Sequence, residues 1–263
     1  VEATSFKRLD LEKNMRYATT NSCQEFEVYY QPIVDISRPG DPCSGAEALI
    51  RWNSEAMGMI SPSEFIPLAE YLGLINPIGS FALKEACHRC KYWNDMGHPE
   101  YHVNVNLSVV QLLQNDMKEK VREVLEETKM DPANLTLEVT ESLAINDMKR
   151  MKRILSDIKS LGVKVALDDC GTGYSSLNHS RELPIDIIKI DRCFIIDIGK
   201  DEYAEAFVKM VSELAETIGV RICVEGVEET EQVEKLRSMK VQYIQGYYYG
   251  KPMRAEDFEK KYL

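Results

Sequence analysis

No apolar run in this 263-residue chain approaches the length needed to cross a bilayer, so the chain carries no membrane segment of its own. Acidic residues outnumber basic ones, 43 to 32, and the net formal charge of −11 argues against a surface built to hold polymeric nucleic acid. A small anionic substrate stays open if metal ions supply the positive charge locally. There are only four histidines (88, 98, 102 and 179), no two of them at i, i+4, and they read as surface or loop residues. Cys87-His88-Arg89-Cys90 has metal-site spacing, but no second pair follows and the run lies inside an amphipathic helix, so a zinc role is set aside. Seven cysteines, an odd number spread through apparent strands and helices, read as reduced thiols in a cytoplasmic protein. The chain opens Val1-Glu2-Ala3-Thr4 without methionine or a signal-peptide pattern, and the expectation is a fragment of a longer protein. Repeats, low-complexity tracts and internal linkers are absent. One domain over 1–263 is therefore expected, with 1–22 as an N-terminal helix or linker.

What is present is an alternation. Short apolar runs near 26–34, 43–50, 101–107, 135–140, 163–168, 185–190, 220–225 and 241–245 read as strands. Helical stretches are expected near 62–72, 77–96, 109–129, 144–161, 202–218, 229–238 and 255–261. Gly162 and Gly219 stand where helices end before strands. The turn-rich Ser37–Pro42 connection has hairpin length, so the first two strands are expected to be antiparallel.

Seven of the eight runs end in, or carry, a polar residue of a kind that binds metal or substrate: Glu47, Asn106, Glu138, Asp168-Asp169, Lys189, Glu225 and Gln245. In an open sheet, ligand groups gather at one switch point served by a few strands. Groups contributed by nearly every strand converge only in a closed ring. The expectation is a (β/α)8 TIM-type barrel, first strand antiparallel, with its site at the C-terminal face. Glu47, Asn106, Glu138 and Asp168 are hard oxygen donors suited to Mg2+ or Mn2+. Past a strand end the chain can turn both Asp168 and Asp169 to the rim, one carboxylate bridging two ions. Such a pair of ions activates water and stabilises in-line displacement at phosphorus. Lys189 reads as a cation that orients the water or a phosphate oxygen, and carboxylates around it keep it protonated. Arg51 could pin a phosphate bidentately. Glu141 could accept backbone N–H bonds from the lid-like 171–175 segment.

The ordered series Tyr30-Gln31-Pro32-Ile33-Val34, Glu47-Ala48-Leu49, Asn106-Leu107-Ser108, Glu138-Val139-Thr140-Glu141, Asp168-Asp169-x-Gly171-Thr172-Gly173, Lys189-Ile190-Asp191, Glu225-Gly226-Val227-Glu228 and Gln245-Gly246-Tyr247 resembles the EAL-domain phosphodiesterases. The resemblance implies hydrolysis of the bacterial messenger cyclic di-GMP to linear pGpG, two Mg2+ or Mn2+ ions, a homodimer, and fusion to GGDEF or sensory domains. It implies that Glu47, Asn106, Glu138 and Asp168 hold the first ion, and Asp168 with Asp169 the second. Glu225 and Gln245 would act partly through water, Lys189 would orient the attacking water, and Glu141 would anchor the lid. Gln31, Leu49, Arg51 and Asn106 would contact the nucleotide. One position departs from the pattern: Cys170 stands where the family has Phe, and altered loop stability or metal affinity is expected. The alternative is a sensor that binds cyclic di-GMP without turning it over. A carboxylate-and-lysine enzyme acting through an enolate leaves Gln31-Pro32 and the 171–174 segment unexplained.

Overall fold

The computed structural model describes residues 2–140, 148–171 and 182–263. All eight expected runs form strands: β1 (Phe26–Asp35), β2 (Cys43–Ser54), then, after a short β3 (Gly58–Ile60), β4 (His102–Asn106), β5 (Leu135–Thr140), β6 (Lys164–Cys170), β7 (Ile187–Ile190), β8 (Arg221–Val224) and β9 (Tyr243–Gln245). They pair in the order β1-β9-β8-β7-β6-β5-β4-β2, and β2 pairs back onto β1, which closes the ring. β1 is antiparallel to both neighbours, with Gln31 opposite Glu47 and Ile33 opposite Gln245; the other pairings around the ring are parallel. β3 lies outside the ring as a hairpin extension of β2.

Among the described residues there are nine α-helices: α1 (Glu2–Thr20), α2 (Pro62–Leu72), α3 (Ile75–Asp95), α4 (Val109–Leu112), α5 (Met117–Thr128), α6 (Met148–Lys159), α7 (Glu202–Ile218), α8 (Thr230–Ser238) and α9 (Ala255–Tyr262). Their boundaries follow local chemistry. Proline fits the first turn of α2, and the Asp201 side chain accepts from the Tyr203 N–H to open α7. Gly219, left-handed at φ +75°, closes α7. The helix expected over 109–129 is broken. Ser108 caps a single turn, and a new helix starts at Met117, after Gln114-Asn115-Asp116.

Strand alternation divides the core. Outward side chains pack against the helices as one large cluster, while Ile33, Ala166, Ile187, Cys223 and Tyr243 fill the ring below its polar mouth. A third cluster joins α1 (Leu11, Met15, Ala18) to Phe26, Trp52 and Phe65, whose rings stack and meet edge-on at 5.6–5.9 Å. α9 secures the far wall. Phe258 lies 4.5 Å from the Trp93 ring, and Glu259 accepts from Trp93 Nε1 (3.0 Å) and Arg89 (3.1 Å). Tyr101 also donates to the Tyr262 carbonyl at 2.8 Å.

Candidate active site

Inward positions recur every second residue along a strand. That period points Gln31, Glu47, Asn104, Asn106, Glu138, Asp168, Lys189, Glu225 and Gln245 to the interior, most of them at the C-terminal mouth. Their meeting point is the ammonium of Lys189, a side chain with no solvent exposure. Its Nζ lies 2.6 Å from Glu138 Oε2, 2.6 Å from Glu225 Oε1, 3.3 Å from Glu47 Oε2 and 3.6 Å from Asp168 Oδ1. Amides complete the first layer. Gln245 Nε2 donates to Glu47 Oε2 (2.6 Å) and to Gln31 Oε1 (2.9 Å), while Asn106 Nδ2 donates to Glu47 Oε1 (2.7 Å). Gln31 in turn donates to the Gly250 carbonyl. Asn104, a residue the sequence reading passed over, donates to Glu138 Oε1 at 2.6 Å.

Asp168 and Asp169 turn differently from the expectation of a strand that ends before them. β6 continues through both, and an extra residue in β6 between Leu167 and Cys170, opposite Ile188 and Ile190, forms a bulge. Within it Asp169 takes a left-handed φ of +58°, and Asp168 Oδ1 accepts from the Asp169 N–H at 2.8 Å. Aspartate tolerates that conformation better than most residues. Gly171 follows at φ +100°, with Phe194 and Phe207 stacked 4.0 Å apart against it; a Cβ there would sit 2.5 Å from one ring and 2.6 Å from the other. Cys170 itself is fully buried.

Burial alone would strip Lys189 of its proton, but the surrounding carboxylates outweigh it and hold the ammonium charged well above the usual range. The carboxylates share that one cation unequally. Glu47 is buried, yet Lys189 and the Gln245 and Asn106 amides hold its pKa down. Burial pushes Glu138 well up, and the neighbouring Glu47 charge adds to it. Burial likewise raises Glu225 to about 7, against the pull of Lys189, and Asp169 to about 6, with Asp168 contributing.

A cavity of about 540 Å³ opens above this cluster. Gln31, Glu47, Leu49, Arg51, Asn106, Asp168, Glu225 and Gln245 all line it. Arg51 is half-buried, its guanidinium 5.5 Å over the Tyr29 ring. Glu141 and the lid residues 172–175 lie outside the described residues. Arg192, Glu228 and Tyr247 also line the cavity and had no role assigned, although Glu228 and Tyr247 lie within quoted motifs and Arg192 adjoins one; Arg192 and Glu228 pair at 3.2 Å. The apolar wall from Ile66, Ile75 and Ile78 was hidden in the helical periodicity of α2 and α3. His102 is not a loop residue: it lies in β4, half-buried.

Among the described residues no group of three or more His, Cys, Asp or Glu side chains is arranged to hold a metal ion; the Lys189 ammonium stands where the carboxylates meet. The donor chemistry nevertheless fits hard divalent cations. Four carboxylates face a single ammonium, every donor is oxygen or a carboxamide, and the buried Gln245 Oε1 has no partner among the described residues.

Residues 13–252 match the family model described as "EAL domain". The chain is 38% identical over 256 residues to the bifunctional diguanylate cyclase/cyclic di-GMP phosphodiesterase MucR of Pseudomonas aeruginosa, covering 97% of this chain and 37% of that protein. It is 31% identical over 259 residues to the cyclic di-GMP phosphodiesterase NbdA of the same organism, covering 97% and 33%. The chain thus spans roughly a third of the length of these curated relatives. Among solved structures, the MucR phosphodiesterase in complex with c-di-GMP superposes with a TM-score of 0.88 at 38% identity, covering 95% of this chain and 99% of that one. The EAL enzyme Bd1971, with cAMP and cyclic-di-GMP bound, gives 0.91 at 29% identity, covering 99% and 70%.

Proposed function

Because this chain belongs to the EAL-domain family, we propose that it is a phosphodiesterase that hydrolyses cyclic di-GMP to linear pGpG with two Mg2+ or Mn2+ ions. The observation that carries this reading is the convergence of four strand-end carboxylates on Lys189 beneath a cavity of about 540 Å³. Glu47, Asn106, Glu138 and Asp168 would hold the first ion, and Asp168 with Asp169 the second. Bound there, the ions supply a water made nucleophilic near neutral pH and offset charge at phosphorus. Lys189, kept protonated by its neighbours, would orient the attacking water or a phosphate oxygen. Glu225 and Gln245 would act partly through water. Arg51 grips a phosphate, while Gln31 and Leu49 contact the nucleotide and Asn106 touches both ligand and ion. Glu141 would anchor the lid segment. The working unit is a homodimer, and in a longer polypeptide the domain acts in the cytoplasm beside GGDEF or sensory domains.

The test is chromatographic detection of pGpG from cyclic di-GMP with purified protein in Mg2+ or Mn2+. Turnover is expected in the wild type and absent in Glu47→Ala and Lys189→Ala. Nucleotide binding without turnover in the wild type would instead establish a sensor. Full turnover in Glu47→Ala would overturn the assignment of the ligands.

A further inference from the structure

Asn104 lies one inward position below Asn106 on β4, with 2% of its surface exposed. Its Nδ2 donates to Glu138 Oε1 at 2.6 Å, while Lys189 holds Glu138 Oε2 at the same distance. The rest of the amide gains nothing from its surroundings. Among the described residues, Asn104 Oδ1 has no partner. Nor does the hydroxyl of Thr136, which faces Asn104 in the β4–β5 register. An apolar side chain of the same size would fill this place without leaving a buried carbonyl oxygen unpaired. As a core residue, then, Asn104 is a poor choice; its one favourable bond is the one to Glu138.

We infer that Asn104 is a positioning residue for the divalent-ion centre. By holding Oε1 it fixes the rotamer of Glu138 and leaves Oε2, which meets the Lys189 ammonium, as the oxygen without an amide partner. Glu138 then meets a cation through a single oxygen in a preset direction, as ligand carboxylates do when an outer partner orients them. This inference rests on the reading of Glu138 as a metal ligand.

The experiment compares wild type, Asn104→Leu, Asn104→Ala and Glu138→Gln. Manganese affinity is measured by titration calorimetry without nucleotide, thermal midpoints in EDTA, and kcat and KM for cyclic di-GMP across manganese concentrations. For Asn104→Leu, manganese affinity is expected to fall about tenfold or more. Its midpoint in EDTA should fall less than that of Asn104→Ala, because leucine fills the space although Glu138 Oε1 loses its donor. KM should stay within about twofold, and kcat should recover at saturating manganese. Asn104→Ala leaves a cavity, so its midpoint should drop, with the same loss of manganese affinity. Wild-type manganese affinity in both Asn104 variants, alongside a lost ion equivalent in Glu138→Gln, overturns the role of Asn104 alone. Unchanged manganese binding in Glu138→Gln overturns the ligand reading and this inference with it.

Discussion

Removing the Lys189 ammonium would leave Glu47, Glu138, Asp168 and Glu225 facing one another inside the ring. Breaking a buried ion cluster on one side costs about 3–5 kcal/mol. Lys189→Met should therefore lose that much stability in EDTA by urea denaturation, and divalent ions should restore part of it. At the opposite end of the barrel, burial and then Lys164 press the His102 pKa down to about 4 from 6.5. The folded value lies below the unfolded one, so His102 favours the fold fully above about pH 6.5. That contribution, about 3 kcal/mol, is lost as pH falls towards 4. His102→Gln should flatten this acid limb in thermal melts between pH 7 and pH 4, and an unchanged limb would assign it to other groups. Single residues were legible where chemistry and position coincided, as at Glu47 or Lys189. Asn104 was not, because a buried amide on a strand and an exposed one are the same letter until the ring closes. His102 was misplaced for the same reason.

At the scale of elements, the bulge in β6 shows how backbone geometry serves side-chain direction. Asp169 sits at φ +58°, where a β-branched residue is strained by about 1–2 kcal/mol. Asp169→Asn should keep the urea midpoint within experimental error, whereas Asp169→Val should lower stability by about that amount. Equal stability of the two variants would show that the conformation costs nothing. The pair Asp168-Asp169 stood out in the sequence as candidate ligands, but adjacent residues in a regular strand diverge, and the extra residue of the bulge leaves no mark in composition. The break between α4 and α5 did leave one, in Gln114-Asn115-Asp116, although apolar periodicity on both sides masked it. β3 is three residues long, too short for a pattern.

For the whole molecule, ring closure was legible because polar groups came from nearly every strand, and only a cylinder brings such ends together. The contribution of α9 to that cylinder was less plain, since a short amphipathic C-terminal run says nothing of what it covers. It seals Trp93 and β1 through Phe258 and Glu259. Phe258→Ala should cost about 3–5 kcal/mol, read as a cooperative drop in melting temperature of the entire protein; a local change without loss of global stability would mean the barrel closes unaided. The reversed first stave has a further consequence. Phe26, where β1 starts, lies opposite Trp52 near the end of β2, so the approach through α1 enters at the lip of the barrel rather than its floor. There α1 abuts α2, whose Pro62, Ile66 and Glu70 form part of the chamber wall. A pull or twist delivered along that first helix would be felt at the doorway itself, with no lever needed to carry it down the length of the cylinder.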